Sequence, residues 1–476
     1  MGAYSRINSP SKAASKSNSR SQSRGPGEND ENELLNGISF GNIDEMISLR
    51  LAMFMKNYED SIKTPHKYPM HSVKGLSDLL INTRSPIPAT DREALLNQLY
   101  SLNVKTGEGR FEDMVDIFRI SKGYELLVAV RNVAASAIAN CDDVADEAIE
   151  FLGTLESKIA SSELDNSTKE QFVFAYSAIS LVVYEGSGAY GVDKKINFLL
   201  ETLLGLVTDL EENAAVIGSL IYGIGCLLTL LENNAGLNSL LENICESTVE
   251  LLLDTDLLEI TKPMSMLFAL AYEMYHYVDD ALDENYDAED EQQPYIYTYE
   301  VKNRLQELVS TSQVKQSKKN KTEGRSIFRE AVQTVRTYSD RAERIQMQER
   351  LREGLKSKSQ ADHKDDILTH IRLSKTKSIA IRSWVSFFRV VELKWVYGPG
   401  LYNQLAHNPT LVAMIEHNVA SKFKATPIEA TYDTSDPAFV QTTARESHIK
   451  KEKMIKHGRA EKLANQLEQT GLNDEE

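Results

Sequence analysis

No stretch of this 476-residue chain is apolar for long enough to cross a bilayer. The longest run, Ile217 to Leu231, is about 15 residues against the ~20 a spanning helix needs, and it ends at Glu232. It reads as a buried helix. Cysteine is scarce: Cys141, Cys226 and Cys245 form neither a disulfide framework nor a metal spacing, so a reducing compartment is expected. Strand-like alternation is nearly absent, which argues against a mixed fold. The nine histidines do not cluster at ligand spacing. No Ser or Cys nucleophile signature, P-loop or kinase set is present. No enzymatic activity, cofactor, metal or small-molecule substrate is therefore expected.

Two local patterns invite chemistry and are better read otherwise. Gly186, Gly188 and Gly191 spell G-x-G-x-x-G after Leu181 to Tyr184. A dinucleotide site needs a strand before that loop, whereas the preceding residues carry a helical pattern, so an interhelical loop is expected. His363 lies beside Asp362, Asp365 and Asp366, with His370 one or two helical turns later. Such a polar segment is more simply a helix start capped by Asp362 or Asp365.

Charge is present in quantity and is segregated. Residues 29–299 hold 17 Lys+Arg against 46 Asp+Glu, a net of −29, whereas residues 300–476 hold 31 against 23, a net of +8. Lys302 to Lys394 alone nets +11, with 22 cations against 11 acids. An acidic body joined to a basic arm points to a polyanionic partner for the arm. Residues 1–39 read as a disordered Ser/Arg-rich tail.

From Phe40 apolar residues recur at helical spacing almost without pause. The spacing predicts helices near 40–58, 69–82, 90–101, 109–120, 122–139, 143–160, 166–184, 194–209, 211–231, 236–253 and 258–278, with breaks such as Ser85-Pro86, Asn233-Asn234 and Lys262-Pro263. Segments starting at Ala175, Ile221 and Leu267 are each 46 residues apart. In all three an aromatic (Tyr176, Tyr222, Phe268) precedes a small residue. A period near 46 built of helix pairs fits the HEAT/armadillo class, which stacks into a rod with a long concave surface. The fold expected is therefore all-α, a HEAT/armadillo-like helical-repeat solenoid over 40–310, self-supporting because repeats contact only their neighbours. An acidic exposed loop, Asp279 to Glu291, and a helix from Tyr299 to Val309 close that body. A basic linker at 311–323, a smaller helical unit at 324–420, and an extended segment with a basic C-terminal helix at 421–476 follow.

The smaller unit carries the specific motifs. Arg325 to Val332 should be a helix burying Ile327, Phe328, Ala331 and Val335; Ser383-Trp384, Gly398-Pro399-Gly400 and a final apolar helix from Asn408 to Ile415 follow. Trp384 and Trp395, the chain's two tryptophans, read as core. With the basic residues Lys318-Lys319, these motifs resemble the carboxy-terminal signature of the interferon-related developmental regulator family: a basic linker, a helix like R-S-V-F-R-D-V, a segment ending in S-W, a G-S-G-like turn and a short helix. The resemblance covers roughly 318–420 and is one of pattern only over 40–280. Pro399 stands where the family prefers Ser.

That resemblance implies a helical-repeat protein that binds ribosomes lacking active translation, with rRNA and ribosomal proteins as partners and a basic terminal helix in the mRNA channel. It also implies, as the alternative, a nuclear transcriptional co-regulator or adaptor holding protein partners on the repeat surface. The location expected is the cytoplasm, with the nucleus second. The residues agree: Arg445, Lys450, Lys451, Lys453, Lys456, Arg459 and Lys462 share one predicted helix against Glu446, Glu452 and Glu461, a set of cations suited to phosphates. Expected rRNA contacts are Lys318, Lys319, Lys321, Arg325, Arg445, Lys450, Lys451, Lys453, Lys456 and Arg459.

Overall fold

The computed structural model describes residues 33–36, 38, 40–60, 72–82, 87–141, 143–185, 190–232, 234, 236–277, 293–311, 318–356, 368–373 and 378–415. Almost all are helical, as the periodicity predicts. A short α1 (Glu33–Asn36) and α2 (Ile43–Asp60) precede α3 (Val73–Ile81), α4 (Ala89–Thr106), α5 (Phe111–Ile120), α6 (Tyr124–Ala139), α7 (Ala145–Ala160) and α8 (Asn166–Tyr184). Then come α9 (Val192–Leu206), α10 (Leu210–Leu228), α11 (Leu237–Leu253), α12 (Leu258–Met274) and α13 (Thr298–Thr311). The chain continues through α14 (Lys318–Ser339), α15 (Arg341–Lys356), the strands β1 (Thr369–Arg372) and β2 (Ser378–Ile381), and α16 (Trp384–Tyr397), α17 (Leu401–His407) and α18 (Pro409–Ile415).

Local chemistry sets several boundaries. The side chains of Ser72, Asp165 and Ser383 accept hydrogen bonds from Gly75 N, Thr168 N and Ser386 N, capping α3, α8 and α16. Gly107, at φ +70°, ends α4 in the left-handed conformation. Lys262-Pro263 does not break the chain as expected; it lies inside α12. Proline removes the amide that would have bonded the Glu259 carbonyl. That carbonyl faces Gly218 on α10, where a Cβ would come within 2.6 Å of its oxygen, so the crossing is tight on both sides.

The helices form two rows. An inner row runs α4, α6, α8, α10, α12, α14, each packed on the next, and the outer helices α5, α7, α9, α11 and α13 each pack on the inner helix that follows. The three 46-residue copies fall on α8, α10 and α12, and the aromatic-small pair does mark close crossings. A Cβ at Gly223 would sit 3.1 Å from Leu199 and 3.4 Å from Ser177 Oγ.

Two expected divisions differ. Lys318 to Glu323, read as linker, are the first turns of α14, and α14 packs on α12 and α13 as the last inner helix. The boundary at 323/324 thus falls inside a repeat, because Ile327, Phe328, Ala331 and Val335, all fully buried, need the α12–α13 surface to cover them. The second difference is an antiparallel hairpin. Thr369 pairs with Ile381 and Arg372 with Ser378, placing Ile371, Ile379 and Ile381 inward. Of the expected tail at 1–39, Glu33–Asn36 instead form α1, with Leu34, Leu35 and Ile38 buried because these apolar side chains find a surface to cover; residues 1–32 and the acidic loop at 279–291 lie outside the described residues.

Candidate functional site

The inner row should present a free concave face to a partner. It does not: α16 lies along it, packed on α6, α8, α10 and α12. Thirteen of the 14 residues of α16 are buried. The Trp395 ring stacks on Phe174 at 5.9 Å and 18°, and Phe388 lies against Tyr222 at 6.3 Å. Phe388 also crosses Gly225 on α10, where an added Cβ would come within 2.1 Å of the ring.

The groove recognises both ends of the helix by charge. At the N-terminus the Glu273 carboxylate accepts hydrogen bonds from Trp384 N (2.9 Å) and Val385 N (3.4 Å), two amides no helical carbonyl can reach. Trp384 Nε1 donates to Thr334 Oγ1 at 2.8 Å, tying α16 to α14. At the C-terminus the Arg131 guanidinium, fully buried, donates through Nε to the Trp395 carbonyl, and Tyr100 OH donates to the Val396 carbonyl at 2.8 Å. Arg131 is paired with Asp44 at 2.6 Å. Gly398, at φ +49°, turns the chain against that pair; a Cβ there would come within 2.8 Å of Asp44 Oδ1. Gly398 of the Gly-Pro-Gly turn is thus required by the half-buried Arg131–Asp44 ion pair.

Midway, Arg389 donates to the Thr229 hydroxyl (3.0 Å) and carbonyl (3.1 Å) and to the Met414 carbonyl (3.0 Å), and pairs with Glu185 at 3.1 Å. Trp395 Nε1 donates to Gln171 Oε1 at 2.8 Å. Lys394 donates to the Leu35 carbonyl, holding α1 over the end of α16. Glu392 is the exception among these polar groups. It is fully buried beside Ser177, whose hydroxyl donates to the Val173 carbonyl, and neither carboxyl oxygen is hydrogen-bonded. Burial drives its pKa well up, which favours the protonated form over the carboxylate.

The arrangement is a helix-binding groove filled by the chain's own helix, built for recognition. Among the described residues no group of three or more His, Cys, Asp or Glu side chains could hold a metal, and no helix is long and apolar enough to cross a membrane. Leu181 to Tyr184 form the last turn of α8, so no strand precedes the glycine loop, and Gly191, at φ +77°, starts α9. His370 lies on β1, which removes its helical spacing to His363, itself outside the described residues. Of the expected rRNA contacts, Lys318, Lys319, Lys321 and Arg325 fall within the first turns of α14. Arg445, Lys450, Lys451, Lys453, Lys456 and Arg459 lie outside the described residues. The clamp residues Arg131, Glu273, Arg389 and Glu392 were missed. Each is a charge set among apolar residues in a helical run, Arg389 and Glu392 sharing α16, which is the signal that could have found them.

The family profile described as Interferon-related developmental regulator matches residues 88–336, just over half of the chain. The match opens at Pro88, which precedes α4, and closes within α14, so it spans the whole inner row. Ser383-Trp384, the Gly-Pro-Gly turn and α18 lie beyond it. No curated protein and no solved structure matches this chain.

Proposed function

This chain belongs to the interferon-related developmental regulator family, and from that premise we propose that it binds ribosomes that are not translating and keeps them silent, with the basic C-terminal helix in the mRNA channel. The observation that carries the reading is the segregation of charge. A body of net −29 over 29–299 is followed by an arm in which seven cations between Arg445 and Lys462 oppose three acids. Cations spaced along a helix neutralise phosphates without reading bases, which suits a channel lined by rRNA. The occupied groove supports this reading over the alternative of an adaptor that grips proteins on its concave face, since α16 already fills that face.

The test reverses Lys450, Lys451, Lys453 and Lys456 to Glu, a change of eight charges that keeps good helix formers. The unaltered protein should sediment with monosomes, and this should weaken steeply as salt rises from about 50 to 200 mM. The variant should lose translational repression in a cell-free assay. Repression by the variant equal to that of the unaltered chain would remove the helix from the channel.

A further inference from the structure

We propose that the turn entering α13 is a docking surface for an arginine-rich segment of another protein, which lays guanidinium groups on its exposed tyrosine rings and pairs them with Glu246 and Glu300. The site lies on the outer row of helices, away from the groove that α16 fills, and goes beyond the ribosome-binding reading. Seven large apolar side chains are exposed among the described residues, and three of them fall within four consecutive positions: Ile296 (88% exposed), Tyr297 (54%) and Tyr299 (62%). Leu49, Ile120, Tyr190 and Leu204 make up the rest and are scattered along the chain. Single exposed apolar residues are ordinary, whereas a cluster of them marks a contact surface.

The cluster stands on a fixed turn. Pro294 and Thr298 are buried beneath it. The Thr298 hydroxyl lies 2.6 Å from Gln293 Oε1, 2.7 Å from the Tyr295 carbonyl and 2.6 Å from the Tyr272 hydroxyl of α12. Gln293 Nε2 donates to the Ser339 carbonyl at the end of α14 at 3.3 Å. The backbone is thus pinned to two inner helices while its side chains stand in water. A surface already held in place loses little freedom when a partner arrives. A turn serving only to join α12 to α13 would be met by polar side chains at lower cost in exposed apolar area.

The chemistry around the rings selects the partner. Tyr295 and Tyr297 meet edge to face at 5.8 Å, and Tyr299 OH donates to Glu300 Oε1 at 2.9 Å. Burial first, then Glu300, Tyr297 and Glu246, push the Tyr295 phenol above its ordinary pKa, so both carboxylates act on that ring. Among the described residues neither carboxylate is ion-paired. Arg304 of α13 is committed to Asp256 and Glu307, and helical spacing places Lys302 on the other flank of Tyr299 from Glu300. Exposed rings alone would suit the bases of a single strand, but these carboxylates repel its phosphates. A guanidinium satisfies both features, since it stacks on an aromatic face and donates to a carboxylate at once. The same protein already uses that combination internally, where the Arg50 guanidinium lies 3.6 Å over the Tyr124 ring and donates to Glu93 at 2.7 Å. The eight acids and no cation of Asp279 to Glu291, just before the turn in sequence, add to the field that draws a cationic segment in.

The experiment measures, by anisotropy on the full chain, binding of a short labelled peptide alternating Arg and Leu, against the same peptide with Lys or Glu in place of Arg. The arginine form should bind several-fold more tightly than the lysine form, which lacks the planar fork, and the glutamate form should not bind. Ile296→Ser with Tyr297→Ser and Tyr299→Ser should weaken binding at least about tenfold. Glu246→Gln with Glu300→Gln should weaken it about threefold or more and reduce its dependence on salt. Glu150→Gln with Glu201→Gln removes the same charge from exposed sites on α7 and α9 and should change binding less than about twofold. Loss of equal size in that control, or no loss in the ring variant, overturns the proposal. The three substituted apolar side chains are exposed, so the ring variant should melt with the unaltered chain; if it melts early, the carboxylate pair, which keeps every ring, decides. Stronger binding of an RNA single strand than of the arginine peptide overturns the choice of partner. Peptide binding that appears only after Lys450, Lys451, Lys453 and Lys456 are reversed to Glu would make the chain's own basic arm the occupant and overturn the external one.

Discussion

The outer and inner helices of the repeats differ most in how much of their surface is buried. On α7, five of 16 residues are buried, and on α9 five of 15; on α8 the number is 15 of 19, and on α10 it is 14 of 19. An outer helix buries one stripe against its partner and leaves the rest to water. The inner helices are apolar nearly all round, which an open concave face would not tolerate. An inner row of this kind requires a cover. That cover is α16, with charged side chains at each end in place of the solvent that would otherwise satisfy its terminal amides and carbonyls. The body and its strap are therefore packed together, and a 40–310 fragment would leave the faces that α16 covers open to water.

Removing the strap should have the largest effect. A fragment of residues 33–311 loses both α14 and α16 and exposes the rings of Phe174 and Tyr222 and the apolar length of α10. It should retain helical far-ultraviolet dichroism but lose its sharp thermal transition and aggregate, while a chain ending at residue 415 melts cooperatively. A sharp, reversible transition in the fragment at the temperature of the longer chain would show that α16 is an accessory.

Stability should also depend on pH, because two carboxyl groups of the buried layer have raised pKa values. Burial brings Glu170 to about 7, and Glu392 is raised well above its ordinary 4.5. In both, the folded state holds its proton more tightly than the unfolded one. The stability this contributes is fully present below about pH 4.5 and is lost as pH rises through the folded values. For Glu170 the window is roughly pH 4.5 to 7, worth up to about 3 kcal/mol, and the loss from Glu392 continues above it. Denaturant midpoints should fall between pH 5 and 8, and Glu170→Gln with Glu392→Gln should flatten that fall. An unchanged slope in the double variant would place the titration elsewhere.

The smallest effects come from a matched pair of glycines and should differ in sign. Gly225→Ala on α10 drives a methyl into the Phe388 ring and should destabilise the protein by about 1–3 kcal/mol. Gly153→Ala on α7 meets nothing within 4 Å and should stabilise it by about 0.5–1 kcal/mol, since a helical glycine has more backbone freedom to lose. Thermal melts of the two variants check this; destabilisation of equal size would mean the outer row is as tightly packed as the inner.

Much of the fold was legible because it is local. Helix spacing predicts α8 at 166–184, and α8 is Asn166–Tyr184. The four inward positions of α14 and the two core tryptophans follow from periodicity and from the size of the indole. The hairpin was not legible, since four-residue strands such as Thr369–Arg372 are too short for alternation to stand out. For the candidate site, the cations of α14 could be read directly, while the clamp around α16 could not.

The row of helix pairs, the division of charge into an acidic body and a basic arm, and the place of Trp395 and Arg131 in apolar helical runs are all properties of local sequence. Only the tertiary structure decided that those two residues meet, 264 positions apart, through a guanidinium on a helix-terminal carbonyl. Periodicity reports which face of a helix avoids water. It carries no information on which distant helix will cover that face, because any apolar surface of the right shape excludes water equally well, and the choice of α16 is made by the end charges of Glu273 and Arg131 and by the space that Gly225 leaves.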